Sequence, residues 1–287
     1  MRQPIQLVLC FAALLFDANL ALAGSMAERY PLPLIASGWP VPAESFRFMV
    51  SVQLGGGHYC AGALIKADWV LTSARCVEHH QAGAVVRSGH RLQSQPGRLL
   101  SVKQILRHPL YQPHRLIHDI ALLQLADSAP LDVQPLQLPT AAVMAQLLYP
   151  GVYLASASWG AMTERGEAAD ELQQQSLPLQ DYHHCNQPEA YNGAVLPSML
   201  CAGFASDTAD DCVADSGAPL IGRYQGVDYH LGVASFGRGC AQNADQPVIA
   251  AATTTNIQTN SNRASYTIYS SSWFYLDWIT ATLTANH

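Results

Sequence analysis

Nine short segments of strand character, each bounded by Gly, Pro, Asn or Asp, leave this chain few ways to fold. They are Phe46–Leu54, Ala61–Ile65, Trp69–Thr72, Val85–Ser88, Leu99–Leu106, Ile120–Leu125, Val152–Ser158, Leu177–Gln180 and Tyr229–Phe236. The first has the alternation of a half-buried strand, and Gly55-Gly56-Gly57 turns it. Many short strands with regular turn signals make an all-β sandwich or barrel. With 287 residues, 49% hydrophobic and 13% charged, the core suits one larger β domain or two small ones sharing it. The net charge of −6, without a basic run, argues against a nucleic-acid partner.

Arg2, the apolar run Leu7–Phe16 and Ala21-Leu22-Ala23 before Gly24 have the form of a secretory signal peptide over 1–23. The run is too short to span a bilayer, and no later segment is apolar enough to do so. The chain is therefore expected to be secreted, either extracellular or, in a bacterium, periplasmic. Residues 24–34, polar and proline-containing, read as a leader or propeptide. Loss of the signal removes Cys10 and leaves Cys60, Cys76, Cys185, Cys201, Cys212 and Cys240. An even count in an oxidising compartment implies disulfides, with fifteen pairings open. No C-x-x-C pair occurs, so no metal site is expected, nor any cofactor. No Asn-x-Ser/Thr sequon occurs either.

Chemistry concentrates in Asp210-Asp211-Cys212-Val213-Ala214-Asp215-Ser216-Gly217-Ala218-Pro219-Leu220. Asp-Ser-Gly followed by Pro makes a rigid turn that presents a hydroxyl beside backbone N–H groups able to bind an oxyanion. This stretch resembles the nucleophile loop of trypsin-like, chymotrypsin-family serine peptidases, Asp-Ser-Cys-x-Gly-Asp-Ser-Gly-Gly-Pro, with Ala214 and Ala218 in place of two glycines. His118 to Leu125 matches the family's Asp-Ile-Ala-Leu-Leu-x-Leu strand, and Leu71-Thr72-Ser73-Ala74-Arg75-Cys76 stands where relatives read Leu-Thr-Ala-Ala-His-Cys. Ile35-Ala36-Ser37-Gly38 takes the place of Ile-Val-Gly-Gly. The resemblance implies one peptidase domain over 35–287: two six-stranded β-barrels with the site between them and a C-terminal helix. It pairs Cys60 with Cys76, Cys185 with Cys201, and Cys212 with Cys240. It makes 251–272 a polar loop insertion, and Trp273–Ile279 a helix packing its aromatics on the second barrel.

The same resemblance assigns roles. Ser216 is the nucleophile, Asp119 the acid that orients the base, and the backbone of Ala214 and Ser216 the oxyanion hole. Asp210 and Asp211 lie at a pocket for Arg or Lys side chains. Ser235, Phe236 and Gly237 form a wall for an extended peptide, and Val248 falls where a wall glycine is expected. Ile35, once freed by cleavage, would pair with Asp215, yet Pro33-Leu34 offers no basic residue to cut after. Ser88 to Arg98 lacks the acids of the family's calcium loop.

The base position holds Arg75, fifteen positions after Cys60 as the family spacing requires. A guanidinium has no lone pair to accept a proton. Arg75 is expected instead to satisfy the Asp119 carboxylate as a charge-assisted, bidentate pair. His79 and His80 read as solvated loop residues, and strand alternation turns His118 away from the cleft. The resulting expectation is a secreted serine protease homologue, inactive and acting by binding or regulation on a protein or peptide such as a protease inhibitor or surface partner. The alternative is an active secreted endopeptidase cleaving after Arg or Lys with a non-standard base.

Overall fold

The computed structural model describes residues 39–40, 45–79, 84–160, 169–204, 215–237 and 265–286. After the two-residue strand β1 (Trp39–Pro40), six antiparallel strands form a closed barrel: β2 (Met49–Leu54), β3 (Gly57–Lys66), β4 (Trp69–Thr72), β5 (Val85–Ser88), β6 (Arg98–Arg107) and β7 (Ala121–Leu125). Their order is β2-β3-β4-β7-β6-β5, with β5 closing on β2. The second sheet comprises β8 (Tyr153–Ser158), β9 (Gln173–Pro178), β10 (Met199–Phe204), β11 (Pro219–Tyr224), β12 (Val227–Gly237) and β13 (Ser265–Ser271), ordered β1-β9-β8-β11-β12-β13-β10. A bridge between Leu179 and Ala202, with Gln180 N–H on Cys201 O at 2.8 Å, brings β10 back beside the end of β9. β8 to β13 thus wrap into a second six-stranded barrel, giving the double-barrel fold expected from the resemblance.

Several local expectations change. The first strand starts at Met49 rather than Phe46, because Phe46 adopts a left-handed backbone (φ 58°) and accepts from Met49 N–H in a turn. Its alternation is not half-burial either: Ser51 and Gln53 are as buried as Val50 and Val52, so both faces are covered. The expected loop over 251–272 ends as a strand. Ser265–Ser271 pairs with β10 on one side and β12 on the other, which polar Ser and Thr tolerate because the backbone ladder carries the pairing. The terminal helix α3 covers Leu276–Ala285 and follows α1 (Ala141–Leu147) and α2 (Tyr182–Cys185). Trp273 and Phe274 precede α3 and are 39% and 53% exposed, so they are not core packing.

One apolar core runs through both barrels, with Val50 and Leu123 from the first and Leu154 and Ile221 from the second. A second cluster lies under α3. Tyr275, Ile279 and Leu283 pack on Trp69, Ile120 and Leu122, so the helix docks chiefly on the first barrel and not on the second as expected. Disulfides join Cys60 to Cys76 and Cys185 to Cys201, as the resemblance implied; Cys212 and Cys240 lie outside the described residues. The loop after β5 has no acids, but it receives two from the chain leading into β9. Asp170 accepts from Ser94 N–H at 2.7 Å and Ser94 Oγ–H at 2.8 Å, and Glu171 pairs with Arg91. Among the described residues no helix is long and apolar enough to cross a membrane.

Candidate active site

Asp119 lies two positions before β7 and is fully buried. Before it, His118 takes a left-handed backbone (φ 55°), uncommon outside glycine. That residue's ring turns outward, 3.0 Å from Tyr275 Oη through Nδ1 and stacked on His108 at 4.8 Å. His118 does face away from the cleft, by a backbone kink rather than by strand alternation. The Asp119 carboxylate accepts from Arg75 N–H at 2.8 Å and from Ser235 Oγ–H at 2.6 Å. Burial pushes its pKa up to about 6, opposed by those hydrogen bonds and by the Arg75 charge.

Arg75 sits in the 3-10 turn Ala74–Val77, which the Cys60–Cys76 disulfide ties to β3. Its side chain is exposed. The bidentate pair expected between its guanidinium and Asp119 does not form. The carboxylate is met by the Arg75 backbone N–H, and Nη1 donates instead to Ser235 O at 3.0 Å. A short peptide N–H reaches the buried carboxylate without desolvating a guanidinium, which costs less.

Ser216 projects from a turn closed by Ala218 N–H on Asp215 O (2.9 Å) and pinned by Gly217 N–H on Ala234 O (2.8 Å) and Ala61 N–H on Ser216 O (3.0 Å). The Cys76 sulfur, one residue beyond Arg75, lies 3.4 Å from Ser216 O. Gly217 is obligatory here: its φ is 86°, and a Cβ would fall 2.2 Å from Ala61 O. The Ser216 hydroxyl has no hydrogen-bond partner among the described residues. The structure therefore brings together Ser216, Asp119 and Arg75, the residues to which the resemblance assigns the nucleophile, acid and base positions: Asp119 meets Arg75 N–H and Ser235, and Cys76 next to Arg75 lies against Ser216 O.

The family model described as Trypsin matches residues 35–278. This chain belongs to the trypsin family. It is 32% identical to Trypsin-2 of Salmo salar over 81% of this chain and 96% of that protein. It is 32% identical to Trypsin 5G1 of Aedes aegypti over 72% of this chain and 77% of that protein. Against Transmembrane protease serine 11E of Mus musculus the identity is 33% over 72% of this chain and 49% of that protein.

One partly buried cluster of this trypsin-family chain escaped the sequence. Asp215 Oδ2 lies 3.0 Å from His58 Nε2 and accepts from Trp159 N–H at 2.9 Å, and His58 Nδ1 lies 2.8 Å from Ser51 Oγ. Ser51, His58 and Asp215 thus form a chain of Ser-His-Asp type, but Ser51 is fully buried and cannot present a nucleophile to a peptide. What the chain does is hold the Asp215 carboxylate. His90 stacks on Trp159 at 4.8 Å, and burial lowers its pKa to about 4. The only local hint was Ser51 and Gln53 alternating with apolar residues in a strand, because buried polar atoms need partners.

Of the wall residues, Ser235 is buried against Asp119, and Phe236 meets Tyr191 edge-on at 5.7 Å. Gly237 ends β12. Asp210, Asp211, Ala214, Ile35 and Val248 lie outside the described residues. No group of three or more His, Cys, Asp or Glu among the described residues could hold a metal ion.

Proposed function

We propose that this chain is a secreted trypsin-family homologue that does not cleave peptide bonds and acts by binding a protein or peptide. The supporting observation is Arg75: its backbone is locked on the orienting carboxylate, and its guanidinium cannot take the serine proton. Among the described residues no imidazole replaces it. His118 is engaged with Tyr275, His58 is held between Ser51 and Asp215, and no described histidine is hydrogen-bonded to Ser216. Asp215, which the family resemblance pairs with a freed Ile35 amino group, has its carboxylate on His58 and Trp159 N–H.

The rival reading is an active endopeptidase cleaving after Arg or Lys through a pocket at Asp210 and Asp211. It draws support from the well-formed Ser216 turn and the Asp119–Ser235 hydrogen bond. Reactivity of Ser216 separates the two. A fluorophosphonate that labels activated serines is expected to label the chain near pH 7 no more than it labels Ser216→Ala, read by intact-mass spectrometry. Stoichiometric labelling lost in Ser216→Ala would favour the endopeptidase.

A further inference from the structure

We propose that the cleft is a receptor for the free C-terminal carboxylate of an extended peptide, with Arg75 as the residue that recognises it. The inference rests on the non-hydrolysing reading above, since a receptor keeps what it binds. Its first ground is a free strand edge. β11 begins at Pro219, whose partner on β12 is Val233, and the last bonds on that side join Ala234 to Gly217 and Ala218. Beyond them, among the described residues, Phe236 and Gly237 pair only with Ile268 and Thr267 of β13, and Ser235 falls in the register shift between. Among the described residues no strand takes the opposite edge of 235–237, and such an edge pairs readily with an added strand. An antiparallel peptide laid there runs from Gly237 toward Ser235. Its C-terminal end therefore arrives where Arg75 Nη1 holds Ser235 O and where the Ser216 turn begins.

The second ground is the state of the charges. Asp119 is buried and already satisfied by Arg75 N–H and Ser235 Oγ–H, so it makes no ion pair with the guanidinium. Arg75 spends one N–H on Ser235 O, which fixes its plane, and its other side-chain donors meet no described residue. A guanidinium held this way, exposed and with donors spare, matches a carboxylate bidentately. The unengaged Ser216 hydroxyl supplies a further donor. A peptide amide in the same place would accept fewer hydrogen bonds and leave the charge unanswered.

The test uses the purified secreted chain and two pools of labelled tetrapeptides of random sequence, one ending in the free carboxylate and the other in the amide. Affinity capture is expected to retain the carboxylate pool on the order of tenfold or more over the amide pool. Arg75→Gln should erase that ratio, and Arg75→Lys, which keeps the charge but not the fork, should keep part of it. Arg75 is exposed, so unshifted melting curves for both variants show that folding is unaffected. Equal retention of the pools, retention of neither, or a ratio unchanged in Arg75→Gln overturns the receptor. Mass spectra of the eluted peptides report separately on hydrolysis. Shortened peptides with the carboxylate preference intact defeat the inactive reading alone, and intact peptides without the preference defeat the receptor alone.

Discussion

Gly217→Ala is expected to cost more than about 4 kcal/mol of stability, the range in which a single substitution reports a specific clash. The new Cβ would lie 2.2 Å from Ala61 O and 2.3 Å from Thr72 Oγ1. Neither neighbour can yield cheaply. Thr72 Oγ1 donates to Ala61 O at 2.8 Å, and Ala61 N–H is bonded to Ser216 O, so relief in one place breaks a bond in the next. Gly151→Ala is the matched control. Its φ is 85°, close to the 86° of Gly217, but nothing lies within 4 Å of the Cβ position. It should show only the conformational cost, about 1 kcal/mol. Urea midpoints for the two variants measure the difference, and equal midpoints would mean that the turn under Ser216 is not packed as described.

Asp119→Asn is expected to stabilise the chain near pH 7 by up to about 3 kcal/mol and to do little near pH 4. Burial raises the folded carboxyl from 3.8 to about 6, so between those values the folded state keeps a proton that the unfolded state has lost. Stability from this group is therefore full below the ordinary carboxyl value and declines as pH rises toward about 6. Asparagine does not ionise and escapes the loss, while its amide can still meet Arg75 N–H and Ser235 Oγ. His90, His108 and His230 act in the opposite sense. Burial lowers them to about 4, 4 and 3, so they weaken the fold as pH falls below 6.5. The difference between variant and unmodified chain, followed across pH, cancels the histidines. A flat difference curve would mean that Asp119 is not a buried, raised carboxyl.

The sequence made the frame legible wherever a residue's role is local. Strand runs with turn residues between them gave an all-β sandwich or barrel, and the family resemblance narrowed it to two barrels and set Arg75, beside Cys76, at the base position. Three strands of the second barrel are missing from the runs read in the sequence; Met199–Phe204 is one, and composition hid the other two. Ser265–Ser271 is polar yet lies between two partners, and Pro219–Tyr224 opens with a proline at the strand start, where proline is tolerated. The site's less legible half depends on contacts distant in the chain. His58 meets Asp215 across 157 positions, and Arg75 meets Ser235 across 160, so no pattern within a window announces either. The choice between guanidinium and backbone N–H as the partner of Asp119 was equally hidden, because both belong to Arg75 and only the turn geometry decides between them.

In the proposed reading, Arg75 in the base position removes peptide hydrolysis while the surrounding site persists. Loss of the base from a serine-type triad lowers turnover on the order of 10⁶-fold. The most direct measurement is hydrolysis of a fluorogenic arginine peptide by the chain beginning at Ile35, beside Ser216→Ala and Arg75→His. The unmodified chain is expected to be no faster than Ser216→Ala, and Arg75→His, which sets an imidazole beside Asp119, is expected to gain activity. Turnover by the unmodified chain that disappears in Ser216→Ala would contradict that reading.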